Sequence, residues 1–352
     1  FLSEAIHLKA LLLHQNNHLQ EAYNHYKQAL ELRKNLGDDK AISITLNNLG
    51  LVCLYTGKYR EAIGYFQEAL PLKIKLGDYK SLTATYENLG VAYLRVSDYQ
   101  KAIETHYTSL KISEQHADNH RVALSYQNIG MVHLMQQDSP YALVMFEKAL
   151  QLIIGSSDKV SILQLKNNIG ACYRNLKDYP RAITCFTECK ELSMEEGYLT
   201  GSLVASNNLG DIYMERHNYP EAEAAYLYCW QQGMEDDHKP EAMVAALNLG
   251  RLYLQQGKTD ESFAYLQKAL ELSVEADDLQ HQQEIYQLIS QVHEANGEHN
   301  KALQYYKQYD ALKAKILNLE NSKVINELKT KYEVDRQEKE IEINRLRNIE
   351  LK

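Results

Sequence analysis

Apolar and small residues recur along this chain at helical spacing, and the helical pattern itself returns every forty residues. From Ala41 onward, Ile42, Leu46, Leu49, Gly50 and Cys53 fall on one helical face. Thr56-Gly57-Lys58 interrupts that face, since glycine is favoured just past a helix end. A second helix is predicted from about Tyr59 to Leu76, with Ala62, Phe66, Ala69 and Leu70 on its apolar side and Gly77-Asp78 closing it. The first helix of each unit carries a fixed triplet: Asn48-Leu49-Gly50, Asn88-Leu89-Gly90, Asn128-Ile129-Gly130, Asn168-Ile169-Gly170, Asn208-Leu209-Gly210 and Asn248-Leu249-Gly250. A fixed period of this length marks an array of helix pairs, each unable to bury its apolar face alone.

The columns explain most residues. Ala22, Ala62, Ala102, Ala142, Ala182, Ala222, Ser262 and Ala302 form a small column where two helices approach closely. Tyr26, Phe66, His106, Phe146, Phe186, Tyr226, Leu266 and Tyr306 form the large column beside it. Pro140, Pro180 and Pro220 sit at the start of second helices, where a missing N–H is harmless. Pro71 falls inside one and is expected to kink it. The fold class is therefore all-α: a right-handed superhelix of about eight helix pairs over residues 1–310, with repeats starting near 3, 41, 81, 121, 161, 201, 241 and 281. The first and eighth units lack the triplet, as end caps do. Residues 311–352 read as one long helix, with Ile325, Leu328, Tyr332, Leu346 and Ile349 at 3–4 spacing and charged residues between. A coiled-coil linker, and hence a homodimer through 311–352, is one reading; a solvated helix docked on the last repeat is the other.

Composition narrows the classes. A net charge of -9 argues against binding nucleic acid, which needs clustered Lys and Arg. No apolar run approaches the ~18 residues of a membrane span, and no secretory leader is visible. Five scattered cysteines favour a reducing compartment, so the cytoplasm is expected; Phe1 is not an initiator, which leaves the periplasm open.

At Gly50, Ala62, Phe66 and Ala69, and again at Gly90, Tyr93, Ala102 and His106, the chain resembles the tetratricopeptide repeat superfamily. Its forty-residue period with Asn-Leu-Gly resembles the longer-helix subtype of kinesin light chains, Pins-type spindle adaptors and Rap-type bacterial regulators. The tail, with Glu327-Leu328-Lys329 and Lys331-Tyr332-Glu333, resembles the coiled-coil linker of bacterial sensor histidine kinases or transcriptional regulators built on such repeats.

The resemblance implies a concave groove lined by the first helix of each pair. On that helix the positions i, i+4, i+7 and i+11 share a stripe. Asn is a poor residue for a helix interior, so six in register require a reason: Asn48, Asn88, Asn128, Asn168, Asn208 and Asn248. One amide can grip a peptide bond by both its N–H and its C=O. Along the stripe, Arg95, Met131, Met135, Asn175, Asp211, Glu215 and Arg251 would then select the ligand sequence. An apolar segment is expected against Met131 and Met135, and a basic residue near Asp211 and Glu215. The competing reading is that the amides bond to neighbouring repeats and fix their spacing.

Catalytic chemistry is not expected, nor is a cofactor or metal. His293-Glu294 to His299 lacks the zinc spacing, because Gly297 falls at a turn. Cys189 and Cys229 share a column with Ala29, Ala69, Ala149 and Ala269, and so read as small buried hydrophobes. His14 and His18 read as solvated. The expected function is a non-catalytic peptide-binding module, the input region of a bacterial signalling protein. Alternatives are a stand-alone scaffold or the regulatory part of a truncated enzyme.

Overall fold

The computed structural model describes residues 1–317. In chain order its helices are α1 (Leu2–Gln15), α2 (Leu19–Leu36), α3 (Asp39–Tyr55), α4 (Tyr59–Leu76), α5 (Tyr79–Arg95), α6 (Tyr99–Gln115), α7 (Asn119–Met135) and α8 (Ser139–Ile153). They continue as α9 (Lys159–Asn175), α10 (Tyr179–Glu195), α11 (Leu199–Glu215), α12 (Tyr219–Glu235), α13 (Lys239–Gln255), α14 (Thr259–Glu275) and α15 (Leu279–Ala295), and a further helix, α16, runs over 299–317. Among the described residues there is no strand. The chain divides into two compact units, Phe1–Leu192 and Ser193 onward. Among the described residues every substantial helix–helix contact joins elements one or two places apart in the chain.

Two side-chain columns hold each pair together. In the first unit Ala22, Ala62, Ala102, Ala142 and Ala182 are fully buried, beside an equally buried Tyr26, Phe66, His106, Phe146 and Phe186. The second unit continues with Ala222 and Ser262 against Tyr226 and Leu266. The triplet glycine faces this large side chain. A Cβ at Gly50 would lie 2.4 Å from the Phe66 ring, so only glycine fits, despite a helix-propensity cost of about 1 kcal/mol. Tyr306 extends the column but is 51% exposed, because no later first helix covers it among the described residues.

Helix ends follow a twenty-residue rhythm that does not depend on glycine. Gly37, Gly57, Gly77, Gly257 and Gly297 take left-handed backbone, but so do Asn17, Ser97, Ala117, Gln137, Lys177 and His217. At these ends the next N–H reaches back five residues, as from Asp98 to the Tyr93 carbonyl (2.9 Å) and from Asp178 to Tyr173 (2.9 Å). That bond satisfies an orphan carbonyl and offsets the strain a Cβ meets there. Starts are set by aspartate. Asp38, Asp78, Asp118, Asp158 and Asp278 each accept a hydrogen bond from the N–H three residues on. Pro71 sits at an exposed position of α4, which stays helical from Tyr59 to Leu76. α16 passes residue 311 without a break; the coiled-coil expectation for the tail lies, beyond 317, outside the described residues.

The seams between repeats change chemistry within the first unit. Arg33 is buried and donates to Thr45 Oγ1 (2.6 Å) and the Ala41 carbonyl (3.1 Å). Forty residues on, buried Lys73 donates to Thr85 Oγ1 (2.6 Å) and the Ser81 carbonyl (3.2 Å), while Thr85 donates to Asn47 (3.0 Å). Burial lowers the Lys73 pKa to about 8, against a smaller opposing pull from Asp78. Two repeats later the same positions hold Ile153 and Leu165, packed with Ala123, Ala149 and Ile162.

Candidate binding groove

Two first helices of the first unit open a cleft of about 530 Å³, lined by Leu11, His14, Gln15, Asn48, Leu51 and Tyr55 among others. Leu11 and Gln15 stand forty residues before Leu51 and Tyr55, so the cleft lies on the stripe that the repeat predicts. Its walls are apolar and aromatic. Tyr55 is 68% exposed, and the His14 ring stands edge-on to it with centroids 5.6 Å apart. His14 also meets Tyr26 edge-on at 6.2 Å, and burial lowers its pKa, so it is a neutral wall of the cleft rather than a solvated group.

The Asn column divides into two groups. The Asn48 amide lies 3.4 Å from Nε2 of His7 in the preceding repeat. Burial, then the charge of Arg33, lowers the His7 pKa to about 4, so the ring is neutral. Arg33 Nη1, which can only donate, lies 3.1 Å from His7 Nδ1, and on the other side of the ring the neighbour of Nε2 is the Asn48 amide nitrogen. Asn128 donates to the buried Glu87 carboxylate, also one repeat back. Asn248, buried, donates to Asp211 (3.2 Å) and accepts from Arg251 Nη1 (2.9 Å). Asn208 is likewise engaged. Asn88 and Asn168 differ: both are half-buried, and their amides have no hydrogen-bond partner among the described residues.

The remaining stripe residues are also placed. Arg95 is exposed, Met131 half-buried and Met135 exposed. The exposed Asn175 donates to Ser139 Oγ (3.2 Å). In the second unit Asp211 accepts from the Tyr226 hydroxyl (2.8 Å) as well as from Asn248, and Arg251 pairs with Glu284. Glu215 is exposed and has a partner of its own. The charges expected to attract a basic ligand residue are thus already matched in part by the protein itself.

Sequence reasoning missed Glu87. It is buried, accepts from Ser125 Oγ (2.6 Å), and faces His106 Nδ1 at 2.9 Å. Burial pushes its carboxyl up, but hydrogen bonding and charge from His106, with Ser109 and Ser125, outweigh this and hold its pKa below the usual range. The signal was available as two coupled departures: a mid-helix Glu at 87, and His106 where other repeats carry a larger ring or leucine. Among the described residues no group of His, Cys, Asp and Glu is placed to hold a metal ion. Cys53, Cys172 and Cys189 are buried, and burial pushes their thiols up to about 12.

The family comparison decides the class. A tetratricopeptide repeat profile matches residues 2–75, 81–153, 161–227 and 241–312, well over half of the chain. This is a tetratricopeptide repeat protein. A search of curated proteins finds no match. Among solved structures, the apo quorum sensor NprR from B. thuringiensis aligns with a TM-score of 0.68 at 15% identity, over 88% of this chain and 87% of that one. The apo form of RapI aligns at 0.63 and 15%, over 79% of this chain and 99% of its own. A signal transduction ATPase with a tetratricopeptide repeat sensor from Pyrococcus horikoshii aligns at 0.66 and 15%, over 90% of this chain, which spans 49% of that one. At such identities the likeness establishes the fold alone, an all-α superhelical repeat; the family match makes the chain a protein-interaction module, with no catalytic family indicated. No helix among the described residues is long and apolar enough to cross a membrane.

Proposed function

We propose that this tetratricopeptide repeat protein holds an extended peptide segment in its groove by the peptide backbone, with an apolar side chain in the cleft between α1 and α3. The observation that carries this reading is the pair of half-buried amides at Asn88 and Asn168, on the groove stripe and without partners among the described residues. A half-buried amide without a protein partner keeps its donors and its acceptor available, and a bound backbone C=O and N–H would match both. The neutral, aromatic wall of the cleft favours an apolar side chain over a charged one. Met131 and Met135 continue an adaptable surface. A ligand base at Asp211 is no longer part of the proposal, since that carboxylate already accepts two hydrogen bonds.

The same proposal assigns the chain an input role in bacterial signalling, with dimerisation through 311–352. It is supported by the folds it resembles, a quorum sensor and a tetratricopeptide repeat sensor among them. Peptides selected on the full chain from a random displayed library provide the test. Asn88→Ala with Asn168→Ala should weaken their binding about tenfold or more while helicity is unchanged, on the basis of ~1 kcal/mol per lost hydrogen bond. N-methylating the peptide backbone should abolish it. Undiminished affinity in the double variant would remove the amide grip from the proposal. Sedimentation with and without 318–352 tests the dimer.

A further inference from the structure

Three helix ends of the second unit, the last residues of α10 (from Ser193) and the ends of α12 and α14, are alike. Each closes with a buried small residue (Ser193, Gly233, Ser273), then an exposed apolar one, then an exposed acid. The apolar side chains are Met194, Met234 and Val274, at 57%, 42% and 56% exposure. The acids that follow are Glu195, Glu235 and Glu275. One backbone bond shapes all three ends, from the N–H of Tyr198, His238 and Asp278 to the carbonyls of Ser193, Gly233 and Ser273 (2.8, 2.8 and 2.9 Å). The same side chains therefore recur in the same pose along one edge of this unit.

That edge works against local stability. Carboxylates at a helix C-terminus oppose the negative end of the helix dipole, and none of the three helices has a basic residue in its last turn. Asp237 and Asp277 occupy left-handed backbone where Gly197 stands in the first of the three turns. Two second helices of the first unit are arranged the other way. α2 ends with Arg33 and Lys34, and α4 with Lys73 and Lys75. One ion pair shows the inversion directly. Lys75 at the end of α4 meets Asp39 at the start of α3 (2.6 Å), whereas Glu275 at the end of α14 meets Lys239 at the start of α13 (2.5 Å). These are the same two positions with charges exchanged. Lys239 also lies 3.9 Å from Asp237, so one base is shared between two acids.

Apart from the Glu275–Lys239 pair, neither the inverted charges nor the bare apolar side chains help this unit fold, and a complementary partner would use both. We infer that the edge formed by the ends of α10, α12 and α14 docks a basic segment of a partner protein. Apolar side chains of that segment seat on Met194, Met234 and Val274, and its Lys or Arg residues meet the flanking carboxylates. Charge selects the partner, and the apolar contacts retain it. This surface lies on second helices and is independent of the groove.

The test uses the full chain and a labelled twenty-residue helical peptide with Leu at 3–4 spacing and Lys elsewhere. Two control peptides replace every Leu by Ser, or every Lys by Glu. The Lys/Leu peptide should bind, more weakly as salt rises, and both controls should bind at least tenfold less well. Met194→Ser/Met234→Ser/Val274→Ser should lower affinity at least tenfold with helicity retained. Glu195→Gln/Glu235→Gln/Asp237→Asn should lower affinity and raise the thermal midpoint. Asn88→Ala/Asn168→Ala should leave this binding unchanged, which separates it from the groove. The inference is overturned if the unsubstituted chain does not bind, if the Ser peptide binds as well as the Leu peptide, or if the triple Ser variant keeps full affinity.

Discussion

Two seams of the first unit occupy the same repeat positions and are built from opposite chemistry. At one, the Lys73 ammonium is buried against Thr85 and the Ser81 carbonyl. At the other, Ile153 packs on a core containing Leu165. Both are closed, so the repeat dictates where a seam forms and not what fills it. The polar seam gives up some stability and adds pairing specificity. An ammonium set against a leucine would be buried without its partner, so repeats displaced along the array would not close. The apolar seam carries no such instruction. Order at the Lys73 seam is thereby written in hydrogen bonds, and at the Ile153 seam it depends on shape.

Substitutions can break this contrast. Ile153→Lys should be the most damaging, destabilising by more than ~3 kcal/mol through a buried charge lacking its hydroxyl. Adding Leu165→Thr, which copies the Lys73–Thr85 pair, should recover part of that loss in a urea titration. Next comes the Glu87–His106 contact. His106→Phe alone should cost about 3 kcal/mol by leaving the buried Glu87 carboxylate without the ring Nδ1 that faces it. Glu87→Gln together with His106→Phe reproduces Gln127 and Phe146 one repeat on, and should restore most of it. The double variant should also lose some acid sensitivity. The Glu87 pKa is depressed in the fold, so its contribution is complete above the ordinary carboxylate pKa and is lost as pH falls through the folded value.

A smaller change sharpens the comparison from the other side. Lys73→Ile with Thr85→Leu should be neutral or stabilising by about 1–3 kcal/mol at pH 7, since well-packed apolar residues often outperform a buried charge. With Lys73 intact, stability should rise between about pH 8 and the ordinary lysine pKa, where the unfolded chain holds a proton that the folded one has released. That rise should vanish in the double variant. The smallest effect is a control. Asp78→Ala and Asp158→Ala should each cost about 1 kcal/mol, because both aspartates cap a helix in the same way beside unlike seams.

The helix pairs, the Ala and aromatic columns and the burial of the cysteines were legible because each follows from a fixed period and side-chain size. The Asp caps were equally legible in principle, since they repeat at 38, 78, 118 and 158. Left-handed turns at Ala117 or Lys177 were not, because their stability comes from a backbone bond that no side chain announces. The Asn column was found as a column, but its destinations were hidden. Asn128 and Asn248 turn towards Glu87 and Asp211 in the preceding repeat, and a stripe drawn on one helix omits the residues of its neighbour. Glu87 escaped for the same reason: its three partners come from two other helices, His106 from α6 and Ser125 and Asn128 from α7.

Each helix finds its substantial contacts within two places along the chain, and this bears on how the protein is made. A new pair leaving the ribosome meets a finished surface built moments before, and need not wait for a distant segment to be translated. Short-range closure of this kind is fast, and it confines the bare apolar surface during synthesis to the face of the newest pair.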